Sequence, residues 1–214
     1  MKKSTILFII FFILLISSVN GLTISNKAAG TRELNDPVIG GKSAPVTITW
    51  FTDYQGPFDA RFYLETFPLI NEKYIKTGKV KIIVKDFPLT VIHKNSKKAA
   101  VASNCANEQG YYEEFLTEIF EERDDWIRSR DFVNLNHGLR KVYKEVSQKE
   151  GYDQFNRCLI SSKYNSEIDS DIEEGNDLDV TGVPTFFLSN GDKTTKIVGA
   201  QPFTAFEREI ENLL

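Results

Sequence analysis

Cys105 and Cys158 are the only cysteines of the 214-residue chain, and their thiols could form a disulfide or exchange one with a substrate. Both lie among apolar or small residues on separate predicted helical segments, and such surroundings disfavour a reactive thiolate. In an exported protein, two cysteines placed in this way favour a structural disulfide. Closing a loop of this length would stabilise the fold by about 4 kcal/mol on the chain-entropy model. A redox-active pair is the alternative.

Asp59 is the acidic residue whose position could matter most for chemistry. It follows Gly56-Pro57-Phe58, where glycine suits a helix N-cap and proline the first helical position. A carboxylate in the first turn interacts favourably with the helix dipole, by roughly 0.3–1 kcal/mol when exposed. We favour this structural role over acid–base catalysis or a metal contact, because the motif holds no histidine and no second carboxylate.

Metal binding is not predicted. His93 and His137 are isolated in the sequence, and two histidines with two cysteines are too few for a usual four-ligand zinc site. The acidic stretch 167–179 fails the EF-hand pattern, because Glu174 stands where glycine is needed and Val180 where glutamate is needed. We interpret this stretch as a solvated helix face, and we expect no metal or other cofactor.

The segment around Asp59 lies between elements that the sequence indicates clearly. Residues 46–51 and 79–86 are rich in β-branched and aromatic residues, which predicts two buried strands. A helix is predicted from Gly56 to about Tyr74, with a kink at Pro68.

The rest of the chain predicts a helical block followed by a return to strands. Residues 95–177 have apolar positions at mixed three- and four-residue spacing, which indicates helices. Asn190-Gly191 lies between the strand-like runs 186–188 and 194–198 and is a strong hairpin signal. Residues 203–214 predict a closing amphipathic helix. The order is strand, helix, strand, helical block, hairpin and helix.

Over roughly residues 36–214 the chain resembles the DsbA-like thiol:disulfide oxidoreductases of the thioredoxin superfamily. The resemblance depends on four segments whose order and spacing are specific. They are Trp50 to Glu65, Lys85-Asp86-Phe87-Pro88-Leu89, Ala106-Asn107-Glu108-Gln109-Gly110 and Gly182-Val183-Pro184-Thr185-Phe186-Phe187. The resemblance implies an α/β, thioredoxin-like fold with an inserted helical subdomain at about 95–177.

In that family a Cys-Pro-x-Cys opens the helix, and the resemblance places Gly56 at the nucleophile position and Asp59 at the resolving position. The chemistry needs a thiolate whose pKa the helix N-terminus lowers, and a second thiol one turn away. Gly56 has no side chain, and a carboxylate cannot form a disulfide. Dithiol exchange through these two degenerate positions is therefore excluded, and no catalytic residue is expected there.

The resemblance also implies a peptide-binding groove that could persist without the redox chemistry. Val183-Pro184 resembles the cis-proline loop that faces the active site in this superfamily, where an extended peptide can pair with a free backbone edge. The predicted groove residues are Pro57, Phe58, Val183, Pro184 and Thr185. Some relatives of this fold activate glutathione with a hydroxyl, and Thr52 and Tyr54 are the nearest hydroxyls here.

The N-terminus predicts export. Lys2 and Lys3 precede an unbroken apolar run, residues 6–16, and small residues follow up to Gly21. This is the layout of a secretory signal peptide. The run is shorter than the ~20 residues of a spanning helix, so cleavage is favoured over retention as a membrane anchor.

These patterns predict a signal peptide or membrane anchor at 1–21, a linker at 22–37 and one domain at 38–214. The expected location is extracytoplasmic, with membrane contact only through residues 5–19 if they are not cleaved. A hydrophobic fraction of 41% suits one domain with a sizeable core. The formal net charge of −4 argues against nucleic-acid binding, which normally uses a basic face.

The main hypothesis is an exported, redox-inactive DsbA-like protein that binds an extended peptide, a protein partner or a membrane complex, as a chaperone-like or accessory subunit. The alternative is an enzyme. It would work as a thiol:disulfide oxidoreductase through Cys105 and Cys158, or with bound glutathione and no protein thiol. A purely structural subunit of a larger envelope assembly is the third hypothesis.

Overall fold

The computed structural model describes residues 36–128 and 132–214. The predicted signal peptide or anchor at 1–21 and most of the predicted linker at 22–37 lie outside these ranges. Among the described residues, no helix has both the length and the apolar composition needed to cross a membrane.

A five-stranded mixed sheet forms the centre of the domain, in the order β1-β3-β2-β4-β5. β2 and β3 run parallel, and every other neighbouring pair is antiparallel. The strands are β1 (Val38–Ile39), β2 (Val46–Thr52), β3 (Val80–Asp86), β4 (Thr185–Ser189) and β5 (Thr194–Val198).

One continuous helical run, α1, connects β2 to β3 over residues 57–75. It consists of α-helical stretches at Pro57–Arg61 and Phe67–Ile70, each followed by a π-helical stretch, Phe62–Thr66 and Asn71–Ile75. The sequence predicts a kink at Pro68. In the structure Pro68 lies in the second α-helical stretch, and the helix continues through it with a π-helical stretch on either side.

Within the described ranges, six helices form the inserted subdomain between β3 and β4, as the sequence predicts. A final helix, α8 (Phe203–Leu213), closes the fold. The six are α2 (Ser96–Asn107), α3 (Tyr112–Glu121), α4 (Arg123–Trp126), α5 (Phe132–Ser147), α6 (Tyr152–Ile160) and α7 (Asn165–Asp177).

Trp50 on β2 packs against α1 and against α3 of the inserted subdomain. Its fully buried ring lies 5.0 Å from the ring of Phe62 on α1 and 6.2 Å from that of Phe120 on α3, measured between centroids. Phe186 on β4 lies 6.1 Å away on the same core. Aromatic pairs at these distances contribute beyond the area that they bury, so this cluster holds the subdomain against the sheet.

The register of the sheet determines where the functional segments meet. Thr52 at the end of β2 is opposite Asp86 at the end of β3, and Phe51 is opposite Thr185 at the start of β4. The segments that follow β2 and β3 and the segment that precedes β4 therefore emerge at one edge of the sheet. The predicted thioredoxin-like fold class is confirmed, and the short strand β1 is an element that the sequence analysis missed.

Candidate functional site

Gly56 and Pro57 start α1 with the local geometry that their types predict. Gly56 is the N-cap, with φ −68° and ψ 125°, and no side chain caps the helix. The Gly56 N–H donates to the Asp53 carbonyl at 2.8 Å, and the Gly56 carbonyl accepts the Ala60 N–H at 3.1 Å. Position 56 thus lies at the positive end of a long helix, where an anion would be stabilised.

Asp59 lies in the first turn of α1 and is completely buried, so the magnitude for an exposed carboxylate does not apply to it. Its Oδ1 accepts a hydrogen bond from the Thr52 hydroxyl at 2.9 Å and one from the Asp53 N–H at 3.2 Å. Its Oδ2 is buried and has no hydrogen-bond partner among the described residues. A buried carboxyl oxygen without a partner is costly, so this side chain is held in place by its surroundings.

Burial raises the pKa of Asp59 well above its ordinary value, and the nearby Asp53 carboxylate raises it further, while the Thr52 hydrogen bond lowers it. The desolvation of a charged carboxylate is the dominant cause. Asp59 therefore holds its proton more tightly than an exposed aspartate does.

Gly56 and Asp59 are coupled through space. A Cβ atom built on Gly56 would overlap Oδ2 of Asp59 and would lie 3.2 Å from its Cγ and 3.0 Å from the Asp53 carbonyl oxygen. The Asp59 carboxyl thus occupies the space that a side chain at position 56 would need. Gly56 and Asp59 therefore form one packed unit.

Asp53 is buried and fixes the loop that follows β3. Its Oδ1 accepts the Gln55 N–H at 2.8 Å, and its Oδ2 accepts the Leu89 N–H at 2.8 Å and lies 2.8 Å from Nδ1 of His93. The sequence analysis treated His93 as isolated, so it missed this pairing. Asp53-Tyr54 follows β2 and Phe87-Pro88-Leu89 follows β3, and the two segments leave the same edge of the sheet. Their proximity was the signal from which the pairing could have been predicted.

Three exposed apolar side chains, Phe58, Val91 and Ile92, lie on two segments that Asp53 joins, and we define them as the apolar rim. Their exposed fractions are 55%, 93% and 67%. Phe58 is in the first turn of α1, with the Arg61 guanidinium carbon 5.2 Å from its ring centroid, and the other two are in the loop that Asp53 fixes. Exposed apolar side chains grouped in this way are typical of interaction sites.

The predicted cis-proline loop has a cis peptide bond between Val183 and Pro184. The Pro184 carbonyl accepts the Gly199 N–H at 2.8 Å, and the main chain of Val183 has no hydrogen-bond partner among the described residues. Thr185, predicted to line the groove, has a buried side chain that donates to the Gly182 carbonyl at 2.7 Å. The loop therefore offers main-chain groups of Val183, and the Thr185 hydroxyl has a structural partner.

The candidate hydroxyls are both engaged. Thr52 donates to Asp59, and Tyr54 is buried with its hydroxyl 3.2 Å from that of Tyr112. Burial raises the pKa of Tyr54 well above its ordinary value, and the Asp86 charge adds to the effect. Neither hydroxyl is placed to activate a thiol. Within residues 36–128 and 132–214, no cluster of three or more His, Cys, Asp or Glu side chains has an arrangement suited to a metal ion.

Cys105 on α2 and Cys158 on α6 form a disulfide. Cys105 is fully buried and Cys158 is 7% exposed. The chain therefore holds one oxidised thiol pair, and this finding does not support the prediction of a redox-inactive chain. Both cysteines are therefore largely shielded from a substrate thiol.

A buried charge cluster lies at the end of β3, beneath the site. The Lys85 ammonium, 2% exposed, is 2.5 Å from Asp36, 3.0 Å from Asp171 and 3.1 Å from Glu174. Asp171 also accepts the Asp86 N–H at 3.0 Å. The interpretation of α7 as a solvated face is wrong for Asp171, and a lysine inside an apolar strand was the signal for a buried partner.

Two carboxyls of this cluster have raised pKa values. Burial raises the pKa of Asp86 to about 7, against the Asn104 hydrogen bond, and burial together with the Asp86 charge raises that of Asp171 to about 8, against the attraction of Lys85. Each group therefore keeps its proton in the folded state over a range of pH in which the unfolded chain has lost it, since an unfolded Asp titrates near 3.8.

We expect the free energy of unfolding to fall as pH rises from 5 to 8. The stabilisation from a raised carboxyl pKa is fully present below 3.8 and is lost as pH passes through the folded values of about 7 and about 8. The limiting slope is about 1.4 kcal/mol per pH unit for each carboxyl. Urea unfolding at several pH values measures it. D171N should flatten the profile, whereas D169N, at an exposed position of the same helix, should keep it; equal profiles for the two variants would contradict the assignment.

Comparison with known proteins places these features in a family. A family model described as thioredoxin matches residues 32–211. A protein of Rickettsia felis, named a putative protein-disulfide oxidoreductase, is 25% identical over 180 residues, which cover 83% of this chain and 61% of the relative. A probable disulfide bond formation protein D of Bacillus anthracis is 25% identical over 157 residues, covering 71% of this chain and 68% of that protein. The chain spans about three-fifths of the length of the Rickettsia felis relative.

Solved structures show the same similarity in three dimensions. The α-DsbA1 protein of Wolbachia pipientis is 27% identical with a TM-score of 0.69, and the match covers 84% of this chain and 91% of that one. Oxidised BdbD from Bacillus subtilis has a TM-score of 0.70 at 24% identity, covering 84% and 92% of the two chains, which supports the fold.

Proposed function

The chain belongs to the thioredoxin family and is DsbA-like, and on this premise we propose that it binds an extended segment of a partner protein at the α1 edge of its sheet, without exchanging a disulfide there. The observation that carries the proposal is the packed, thiol-free Gly56–Asp59 unit beside an exposed apolar rim. The Gly56–Asp59 pair supplies no thiol at this edge, and the exposed apolar rim supports the binding of a polypeptide there.

The binding mode follows from the groups that are left open. The main chain of Val183 can pair with an extended strand, as sheet edges do in other peptide-binding proteins. Side chains of that strand would then cover the apolar rim, and burying apolar surface contributes roughly 25 cal/mol per Å².

We expect F58A and I92S each to weaken binding of a permanently unfolded, alkylated protein by about tenfold, since an apolar anchor at an interface contributes more than about 1 kcal/mol. Alkylation removes the ligand's thiols, so the titration measures binding without exchange. I160S is the matched control, because Ile160 on α6 is 62% exposed and Ile92 is 67% exposed. Wild-type affinity in F58A and I92S, or an equal loss in I160S, would contradict the groove.

Thiol–disulfide exchange through Cys105 and Cys158 is the second candidate function, and the disulfide itself favours it. In that reaction a substrate dithiol would lose two electrons and two protons to become a disulfide, and the protein pair would take them up as two thiols. The burial of both sulfurs opposes this candidate. Oxidation of a model dithiol peptide that is lost in C105A/C158A would establish it.

An extracytoplasmic location completes the proposal. It is supported by the DsbA-like relatives, by a disulfide of the kind that persists in oxidising compartments, and by the signal-like residues 1–21. A chaperone-like or accessory role for a protein partner or membrane complex fits this location. Intact-mass measurement of the native protein tests it, because cleavage would leave a chain that begins near residue 22.

A further inference from the structure

An open concavity of about 640 Å³ lies on the inserted subdomain, where the end of α5 meets the start of α6. Its charged lining residues are Lys144 on α5, Lys149 in the turn, Arg157 on α6 and Asp153 in the first turn of α6. We call it the basic concavity. Three positive side chains from three consecutive segments thus line one depression, against one carboxylate.

The three cations have no carboxylate partner among the described residues. Other lysines of this chain do: Lys73 lies 2.6 Å from Glu207, and Lys163 lies 2.8 Å from Glu108. The chain carries an excess of acidic residues, with a net charge of −4, and yet three cations line this one depression with a single carboxylate. Like charges close together repel, and an anion bound between them would relieve the repulsion.

Tyr152, which also lines the basic concavity, lies next to one of its cations. The Lys144 ammonium lies 4.4 Å from the centroid of its ring. The pKa of the Tyr152 phenol is lowered, first by a hydrogen bond from Asn156 and then by Lys144 and by the charge of Arg140. Two positive side chains, Lys144 and Arg140, therefore act on the Tyr152 phenol at this place.

The backbone adds donors at the same place. α6 begins at Tyr152 after Gly151, which has φ 62° and supplies no side-chain cap. The Phe155 N–H donates to the Gly151 carbonyl at 2.9 Å, whereas the N–H groups of Asp153 and Gln154 have no partner among the described residues. Two open N–H groups beside a guanidinium and two ammonium groups suit a multivalent oxyanion.

We propose that the basic concavity binds a phosphate group, carried either by a soluble phosphate ester or by a phospholipid headgroup. A phosphate offers several acceptor oxygens and up to two negative charges, which matches three cations diminished by Asp153. Arg157 can hold two of those oxygens at once, and the lysines act as point charges. The site is on the inserted subdomain and does not depend on peptide binding at the α1 edge.

The test uses the full mature chain and titrates inorganic phosphate by calorimetry or by amide chemical shifts. K144Q/R157Q should lower the affinity by about tenfold or more, because hydrogen bonds to charged groups are lost. D153N should raise it by roughly two- to fivefold, because a repelling charge is removed. K76Q/K193Q removes the same number of charges from exposed positions elsewhere and should leave the affinity unchanged.

Vesicles distinguish the two sources of phosphate. Recruitment of the wild-type chain to phosphatidylglycerol vesicles, with release of K144Q/R157Q but not of K76Q/K193Q, would identify a lipid headgroup. Phosphate binding without recruitment would identify a soluble ester. The proposal is overturned if neither phosphate nor anionic vesicles bind saturably, or if both double variants lose binding equally.

Discussion

Placing cysteine at positions 56 and 59, as G56C/D59C, is expected to convert this chain into a catalyst of insulin-disulfide reduction. The first introduced thiol would lie at the N-terminus of α1, where the helix dipole lowers a thiol pKa, and the second would lie one turn away to resolve the mixed disulfide. A pKa shift of this kind raises the thiolate fraction at neutral pH by on the order of tenfold over an ordinary cysteine. The groove would supply the substrate's binding surface.

The single variant G56C separates packing from chemistry. Its Cβ would overlap the Asp59 carboxyl, so we expect a loss of about 1–3 kcal/mol in the free energy of unfolding, as for other overpacked sites, and no turnover. Adding D59C should recover most of that stability. A folded G56C/D59C protein with a disulfide between the two introduced thiols, verified by mass, that shows no turnover would contradict the assignment of this edge as a degenerate exchange site.

Removing the Cys105–Cys158 disulfide is expected to lower the free energy of unfolding by about 4 kcal/mol on the chain-entropy model, because it closes a loop with a sequence separation of 53 residues. For a domain of this size that loss corresponds to a decrease of about 10 °C in Tm. Urea unfolding of C105A/C158A and of the oxidised wild type measures it. The reduced, alkylated wild-type chain provides a second form without the bond.

The same measurement decides between the two uses of the cysteines. A structural bond resists mild reductant and carries most of the roughly 4 kcal/mol, whereas an exchange-active bond is reduced readily. If mild reductant opens the bond in the folded protein with little loss of stability, the structural interpretation of Cys105 and Cys158 is wrong. The second candidate function would then gain direct support.

The secondary structure follows closely from local patterns. β2, β3 and the hairpin of β4 and β5 were predicted within one or two residues, because β-branched runs and Asn190-Gly191 act locally. β1 has only Val38 and Ile39, and its existence depends on pairing with Ile82 and Ile83, more than 40 residues away. A two-residue strand has too few positions to show a period.

Only those features of the site that depend on neighbouring residues in the sequence could be predicted. The helix start at Gly56-Pro57 follows from residue types, whereas the buried Asp59 has its hydrogen-bond partners at Thr52 and Asp53, at the end of β2. The pairings of Asp53 with His93 and of Lys85 with Asp171 cross 40 and 86 residues. Such contacts arise when strands end at a common edge, and no periodicity in the sequence encodes them.

The Asp59 carboxyl fills the space that a side chain at position 56 would need, and this has a consequence for the evolution of the chain. A chain with this pair is two substitutions from a dithiol protein, and neither intermediate performs exchange. The G56C change alone drives a side chain into the carboxyl, and the D59C change alone leaves a thiol without a partner at this edge. Natural selection acts on one change at a time, and neither single change restores exchange. A return to a dithiol pair is therefore disfavoured, and descendants are expected to keep both residues or to replace both.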